Sequence, residues 1–306
     1  MKVLHGFDDP ATRHGYVAIG NFDGVHRGHQ AMFQTLCARA RQAGVPAVVV
    51  TFDPHPVAVL RPEAAPQPLM SLADRLAHIG ACGPDATIVQ ATTPAFLQLS
   101  AREFFDQIVR GRLAARGVVE GENFRFGRGR DGTVQQLAAW CRAEGLDCEI
   151  IPPVLVEGRS VSSSAIRRLI GEGEVAAAAE LLGRPHRVRG EVVHGEARGG
   201  KLGFPTANLA GVPTLLPAEG VYAGWAHTPA GRWGAAINLG PNPTFGVSER
   251  KFEVHLLDFQ GDLYGQPLEI EFLARLRGTV RFAGIEALLT QIRADVAAAR
   301  DLTTGR

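Results

Sequence analysis

The feature that most narrows the possible folds is a change of hydrophobic period partway along this 306-residue chain. Through residue 182, strand and helix signals alternate. Tyr16–Ile19 is a short apolar run, and Ala47–Phe52 is a continuous, mostly β-branched run of the kind buried on both faces of a sheet. Between them His29–Ala43 carries Met32, Phe33, Leu36 and Ala40 at helical spacing and closes at Gly44. Thr87–Gln90 and Arg116–Glu120 predict further strands, with helices near Leu72–Gly80 and Ala101–Arg112. Such alternation predicts an α/β domain, a Rossmann-like parallel sheet wrapped by helices.

After residue 182 the period changes. Arg187–His194, Gly220–His227, Arg232–Leu239, Phe252–Phe259 and Leu268–Arg277 all predict strands, separated by Gly/Pro turns. Short strands without intervening helices imply a small antiparallel barrel or a sandwich. A final helix is predicted near Gly284–Asp301, with Ile285, Leu288, Leu289, Ile292 and Val296 on one stripe. Ser162–Leu182 is helical in pattern and ends at Gly183-Arg184-Pro185, so the expected domains are 1–182 and 183–306.

Charge excludes some functions. Residues 1–182 hold 18 Lys/Arg against 19 Asp/Glu, and residues 183–306 hold 14 against 12. Neither half has the basic excess of a nucleic-acid binder. No apolar run reaches membrane-spanning length, and the N-terminal segment lacks a secretory apolar core. Cys37, Cys82, Cys141 and Cys148 form no C-x-x-C pair and are read as reduced thiols, so a cytoplasmic protein is expected. Self-association is left open.

Two segments have the composition of phosphate-handling loops. Gly20-Asn21-Phe22-Asp23-Gly24-Val25-His26-Arg27-Gly28-His29 stands between a strand and a helix. Such a turn gathers backbone N–H groups and a helix dipole at one point. Gly20, Gly24 and Gly28 let the backbone approach phosphate closely, and His26 and His29 can both donate hydrogen bonds. No Gly-Lys-Ser/Thr follows and no G-x-G-x-x-G is present, which excludes a P-loop and a dinucleotide fingerprint. A zinc site at the two histidines lacks a third ligand at the usual spacing, and a glycine turn with surface histidines is the plain alternative. The second segment runs from Val193-His194-Gly195 through Gly199-Gly200-Lys201-Leu202-Gly203-Phe204-Pro205-Thr206-Ala207-Asn208. Lys201 is one of three lysines in the chain and suits a phosphate as a point charge. Thr206 and Asn208 would share a face of an extended segment and offer hard oxygen ligands for Mg²⁺. The alternative there is a Gly-rich hairpin before a Pro turn.

Gly20–His29 resembles the signature of the nucleotidylyltransferase superfamily. Thr51-Phe52-Asp53-Pro54-His55-Pro56, Gly121-Glu122-Asn123-Phe124-Arg125-Phe126-Gly127 and Val161-Ser162-Ser163-Ser164-Ala165-Ile166-Arg167 resemble its flavin-specific branch. With the segments Gly199–Asn208, Asn238–Phe245 and Glu253–Gly265, the whole chain is similar to the bacterial bifunctional riboflavin kinase/FAD synthetases. The resemblance implies phosphorylation of riboflavin to FMN, then adenylylation of FMN to FAD, with ATP and Mg²⁺ at both sites. It implies that His26 and His29 hold the ATP phosphates in a turn that also includes Gly20, Phe22, Asp23, Gly24 and Gly28. Ser163, Ser164 and Arg167 would grip the leaving phosphates, and Pro54, His55, Asn123 and Phe124 would line the flavin pocket. Position 123 is Asn where many members have Asp. In the second half the resemblance makes Glu253 the general base and Thr206 and Asn208 the Mg²⁺ ligands. Gly195, Lys201, Gly203, Pro205 and Asn242 would surround ATP, and Arg277 would lie near the flavin. Strand period places Glu253, His255 and Leu257 on one face and Phe252, Val254 and Leu256 on the other.

Overall fold

A computed structural model describes residues 1–195, 198–242 and 247–304; of Arg198, Lys201, Asn242 and residues 247–250 the backbone alone is described. Contacts divide the chain into two units. One comprises Met1–Pro66 and Ser71–Val161, the other Gln67–Met70 and the chain from Ser162 onward.

The first unit opens with β1 (Lys2–His5), β2 (Tyr16–Ile19), α1 (Arg27–Ala43), β3 (Ala47–Asp53) and α2 (Pro56–Leu60). Next come α3 (Leu72–Ala81), β4 (Ala86–Ala91), α4 (Pro94–Leu97) and α5 (Ala101–Phe104), which runs on as a π-helical stretch, Phe105–Arg112. It ends with β5 (Gly117–Gly121), β6 (Arg125–Phe126), β7 (Gly132–Thr133), α6 (Val134–Ala143), β8 (Asp147–Ile151) and the hairpin of β9 (Leu155–Val156) and β10 (Arg159–Ser160).

Six strands form one sheet in the order β1-β4-β3-β2-β5-β8, every neighbouring pair parallel. The predicted Rossmann-like architecture is therefore present. β2 is buried throughout and β3 through Thr51, which is why both read as unbroken apolar runs rather than alternating ones. Met32, Phe33, Leu36 and Ala40 of α1 are buried, as their spacing predicts. Full burial of side chains such as Phe33 and Leu36 contributes roughly 1.5–3 kcal/mol each. Gly44 ends α1 at φ 65°, the left-handed cap that glycine adopts without steric penalty. Neither α6 nor β8 was predicted, although Thr133 and Gln136 form a reciprocal capping box at the start of α6.

The second unit begins with α7 (Ser163–Glu172) and α8 (Val175–Leu182), followed by β11 (His186–Val193), α9 (Arg198–Lys201) and β12 (Ala207–Ala210). It continues through β13 (Gly220–Thr228), β14 (Gly231–Asn242), β15 (Val247–Leu256), β16 (Pro267–Arg277) and α10 (Ile285–Thr304). The strands close into an antiparallel barrel, β11-β12-β15-β14-β13-β16. Closure decides between the barrel and the sandwich left open by the sequence, and it removes the free edges of an open sheet.

β11 alternates strictly, with His186, Val188, Gly190 and Val192 inward. They meet Tyr222, Ile237, Val254, Ile270 and Phe272 in the barrel core. α10 covers the outside of the barrel, packing Ala299 and Val296 on Ala223 and Leu257. Its approach requires Gly234, where a Cβ would stand 2.5 Å from Thr303 Oγ1. β15 ends at Leu256 rather than Phe259, because Asp258 turns the chain at φ 58°. By contacts α7 and α8 group with the barrel rather than with residues 1–161, since Val175 of α8 enters the barrel core.

Candidate active sites

In the first unit, β2 leads through α1 to β3 on one side, and β5 lies on the other. The strand order therefore reverses beside β2, and a crevice at the carboxyl ends of such strands is where ligands bind in open α/β sheets. The turn after β2, the Pro54–His55 turn after β3 and the Asn123–Phe124 loop after β5 all leave from those ends.

The turn itself is tight and strained. Phe22 has φ 50° and Val25 φ 37°, left-handed conformations that side chains other than glycine avoid. At Gly20 a Cβ would sit 3.0 Å from the Phe22 ring, and at Gly28 it would sit 3.2 Å from the His26 ring. His26 is the N-cap of α1: its Nδ1 accepts from the His29 backbone N–H at 3.3 Å. A neutral ring accepting at Nδ1 carries its proton on Nε2, so Nε2–H is the donor of His26. The His26 and His29 rings stack at 3.5 Å, and Phe22 meets His29 edge-on at 5.2 Å. Asp23 is buried beside them.

His55 faces this turn directly, with its Nε2 3.1 Å from the Asn21 amide while its Nδ1 accepts from Val57 N–H to cap α2. Pro54 accepts a hydrogen bond from Thr92 Oγ1 at 2.6 Å. Phe124 stacks on Phe126 at 5.3 Å and belongs to the margin of the core, whereas Asn123 is exposed. Two groups outside every motif also reach the turn. Glu120 Oε1 accepts from Ile19 N–H at 2.7 Å, and Arg75 Nη1 donates to the Asn21 carbonyl at 2.8 Å. Glu120 reads as part of a strand and Arg75 as part of a helix, so no local pattern marks either.

Ser163, Ser164 and Arg167 belong to the second unit. Ser162 caps α7 by accepting from Ala165 N–H at 3.2 Å, which puts Ser163 and Ser164 in the first helical turn, and Arg167 Nε donates to the Gln67 carbonyl at 2.9 Å.

In the barrel, strand register assembles the second site. Asn208 on β12 pairs with Glu253 on β15, and Glu253 pairs with Asn238 on β14. Directly opposed residues share a face, so the three form one row across three strands. Asn238 Nδ2 donates to Glu253 Oε2 at 3.4 Å. Phe252, Val254 and Leu256 are buried, so the row faces outward, away from the barrel core. Leu257, expected on the Glu253 face, is buried under α10.

The glycine loop lies tightly against this row. A Cβ on Gly195 would stand 2.3 Å from Asn208 Nδ2, and one on Gly199 would stand 2.4 Å from the Phe204 carbonyl and 3.4 Å from Thr206 Oγ1. Gly203 turns at φ 86°, and the Pro205 carbonyl lies 2.7 Å from His255 Nδ1. The side chains of Lys201 and Asn242, with Glu196, Ala197 and Pro243–Phe245, lie outside the described residues. Arg277 is engaged by α10: its Nε and Nη2 donate to Asp295 at 2.7–3.1 Å, and its guanidinium lies 5.6 Å from the Phe282 ring. A cavity of about 500 Å³ lies beside it, lined by Gly173–Ala176 and Ala274–Gly278.

Comparison with known proteins assigns each half. Residues 8–165 match the family model for FAD synthetase, and residues 182–303 match that for riboflavin kinase. The chain is 40% identical to the bifunctional riboflavin kinase/FMN adenylyltransferase of Pseudomonas fluorescens, over 99% of this chain and 98% of that one. It is 34% identical to the protein of the same description from Escherichia coli strain K12, over 98% and 97%. A crystal structure from Streptococcus pneumoniae, described as a macrolide-efflux protein, superposes with a TM-score of 0.86 at 31% identity, covering 98% of this chain and 99% of that one. Among the described residues no helix is long and apolar enough to cross a membrane. The chain belongs to the bifunctional riboflavin kinase/FMN adenylyltransferase family.

Proposed function

We infer that this protein phosphorylates riboflavin to FMN with ATP and then transfers an adenylyl group from a second ATP to FMN, releasing pyrophosphate and forming FAD. The observation that carries this reading is that both family models match, in order, within one chain whose relatives align over nearly its full length.

For the kinase step, Glu253 is the proposed general base, accepting the proton of the riboflavin 5′-hydroxyl as that oxygen attacks the γ-phosphorus of ATP. The register that puts Asn208 and Asn238 on either side of Glu253 supports this. Asn238 orients the carboxylate. Mg²⁺ is proposed to bind with ATP at Thr206 and Asn208, whose hard oxygens suit it, and when bound it neutralises phosphate charge.

For adenylyl transfer no base is needed, because the FMN phosphate is already ionised near neutral pH. The barrier is charge crowding at the α-phosphorus, so catalysis is positioning and electrostatic stabilisation. His26, donating from Nε2, and His29 beside it are proposed to stabilise that charge at the N-terminus of α1. Pro54, His55, Asn123 and Phe124 are proposed to bind the flavin. The roles of Ser163, Ser164 and Arg167, the functional boundary after residue 182 and a cytoplasmic location rest on the family resemblance.

The test is incubation of the purified protein with riboflavin, ATP and Mg²⁺, separating flavins over time. FMN should rise first and FAD follow; failure to make FMN from riboflavin, or FAD from supplied FMN, overturns the corresponding half.

A further inference from the structure

β2 and β5 are paired only at Tyr16–Gly117 and Val17–Val118. Beyond Val17 the two strands part, and the Ile19 N–H loses the backbone partner that a continued ladder would give it. Glu120 fills the gap from its place on β5, 1% exposed, through Oε1 at 2.7 Å. The next N–H, of Gly20, is held by the Val50 carbonyl at 3.0 Å. The Asn21 carbonyl then accepts from Arg75 Nη1 at 2.8 Å and from Thr51 Oγ1 at 3.1 Å. Three consecutive residues are thus tied at the point where the chain leaves the sheet.

Neither charged-type residue is where packing alone would put one. Glu120 follows Val118 and Val119 on a buried strand, and burial pushes its carboxyl well above the usual carboxylate range. Arg75 is 8% exposed; the carboxylates of Asp23 and Asp53 both act on its charge, an Asp53 oxygen lies 3.7 Å away, and its Nε is buried without a hydrogen-bond partner. A buried, incompletely matched cation destabilises a fold. Downstream, Phe22 and Val25 hold left-handed backbone that persists only when the surroundings over-determine it.

We propose that Glu120 and Arg75 are positioning residues for FMN adenylyl transfer, pinning the Ile19 N–H and the Asn21 carbonyl on either side of Gly20 so that the strained turn presents His26 and His29 in one geometry. The proposal rests on the adenylyl-transfer reading above. Both residues act through the backbone of the turn and hold it in place before ATP arrives.

The test uses the full chain carrying Glu120→Gln, Glu120→Leu, Arg75→Lys or Arg75→Met. FAD formation from FMN and ATP is measured with kcat and KM resolved, together with riboflavin phosphorylation and thermal unfolding. Gln keeps an acceptor in the same place, so Glu120→Gln should stay within about threefold of the parent. Glu120→Leu and Arg75→Met should each lower kcat for FAD formation by about tenfold or more, with KM for ATP moving less than threefold and riboflavin phosphorylation unchanged. Equal losses in Gln and Leu, or a folded Leu variant with parental kcat, overturn the assignment of Glu120. Parental kcat in Arg75→Met overturns that of Arg75. If Glu120→Leu does not fold, Glu120→Gln decides for that residue, because a tenfold loss there excludes a hydrogen-bonding role. A parent protein that makes no FAD would instead refute the activity on which the proposal stands.

Discussion

The two sites are built in opposite ways. The turn proposed for adenylyl transfer is contiguous in sequence, Gly20–His29, yet its backbone is strained at Phe22 and Val25 and is tied down by residues from three other segments, Val50 with Thr51, Arg75 and Glu120. The row proposed for the kinase step is scattered in sequence across Asn208, Asn238 and Glu253, yet needs no unusual backbone at those residues, because antiparallel register alone sets them side by side. A motif on a turn keeps its chemistry together and borrows its rigidity; a motif on a sheet borrows its neighbours and inherits rigidity from the ladder.

The sharpest way to break this comparison is Glu253→Ala. Loss of the proposed general base should lower riboflavin phosphorylation by about 10²–10⁴-fold, while FAD formation from supplied FMN stays near the parental rate. Persistence of phosphorylation, measured by separating riboflavin from FMN, would remove Glu253 from that role. His29→Ala probes the other side, with an expected loss in FMN adenylylation of about 10²–10³-fold and intact phosphorylation. Loss of both activities in a folded variant would mean that the two sites are not separable.

Gly195→Ala should act through crowding. Its Cβ would meet Asn208 Nδ2 at 2.3 Å, and overpacking of this kind costs about 1–3 kcal/mol. The expected readout is a larger KM for ATP in phosphorylation, with adenylylation unchanged; an unaltered KM would show that the loop yields without disturbing Asn208.

The smallest effect concerns pH. Burial raises the Glu120 pKa, so between the unfolded and folded values the native state binds more protons than the unfolded state. Stability contributed at this position is present below the unfolded pKa and is lost as pH rises toward the folded one. Glu120→Gln should therefore raise the midpoint of thermal unfolding relative to the parent at pH 7, and the gain should shrink toward pH 4. A pH-independent difference would place the carboxyl in a more solvated setting than its burial implies.

Much of the chemistry could be read locally. The histidines and glycines sit in segments whose composition announces them, whereas Glu253 was singled out only by the family resemblance; β2 and β3 were visible as unbroken apolar runs because both their faces are buried, and α1 by its stripe, because burial on one face imposes a period. α6 was missed despite its Thr133/Gln136 box, a signal present but unused. β12 was missed because four residues between a Pro turn and a loop carry too little periodicity to register. Arg75 and Glu120 had no local signature at all: an arginine on a helix and a glutamate at a strand end are ordinary until their partners are known.

From sequence, then, followed the change of architecture partway along the chain and the candidates for phosphate handling, because period and composition are properties of neighbours along the backbone. Tertiary structure alone decided which strands neighbour one another in the barrel, that Glu253 stands between two amides, and that a buried acid and a buried arginine brace the histidine turn. These depend on hydrogen bonds between residues 15 to 101 positions apart, and such pairings exist only once the chain has folded.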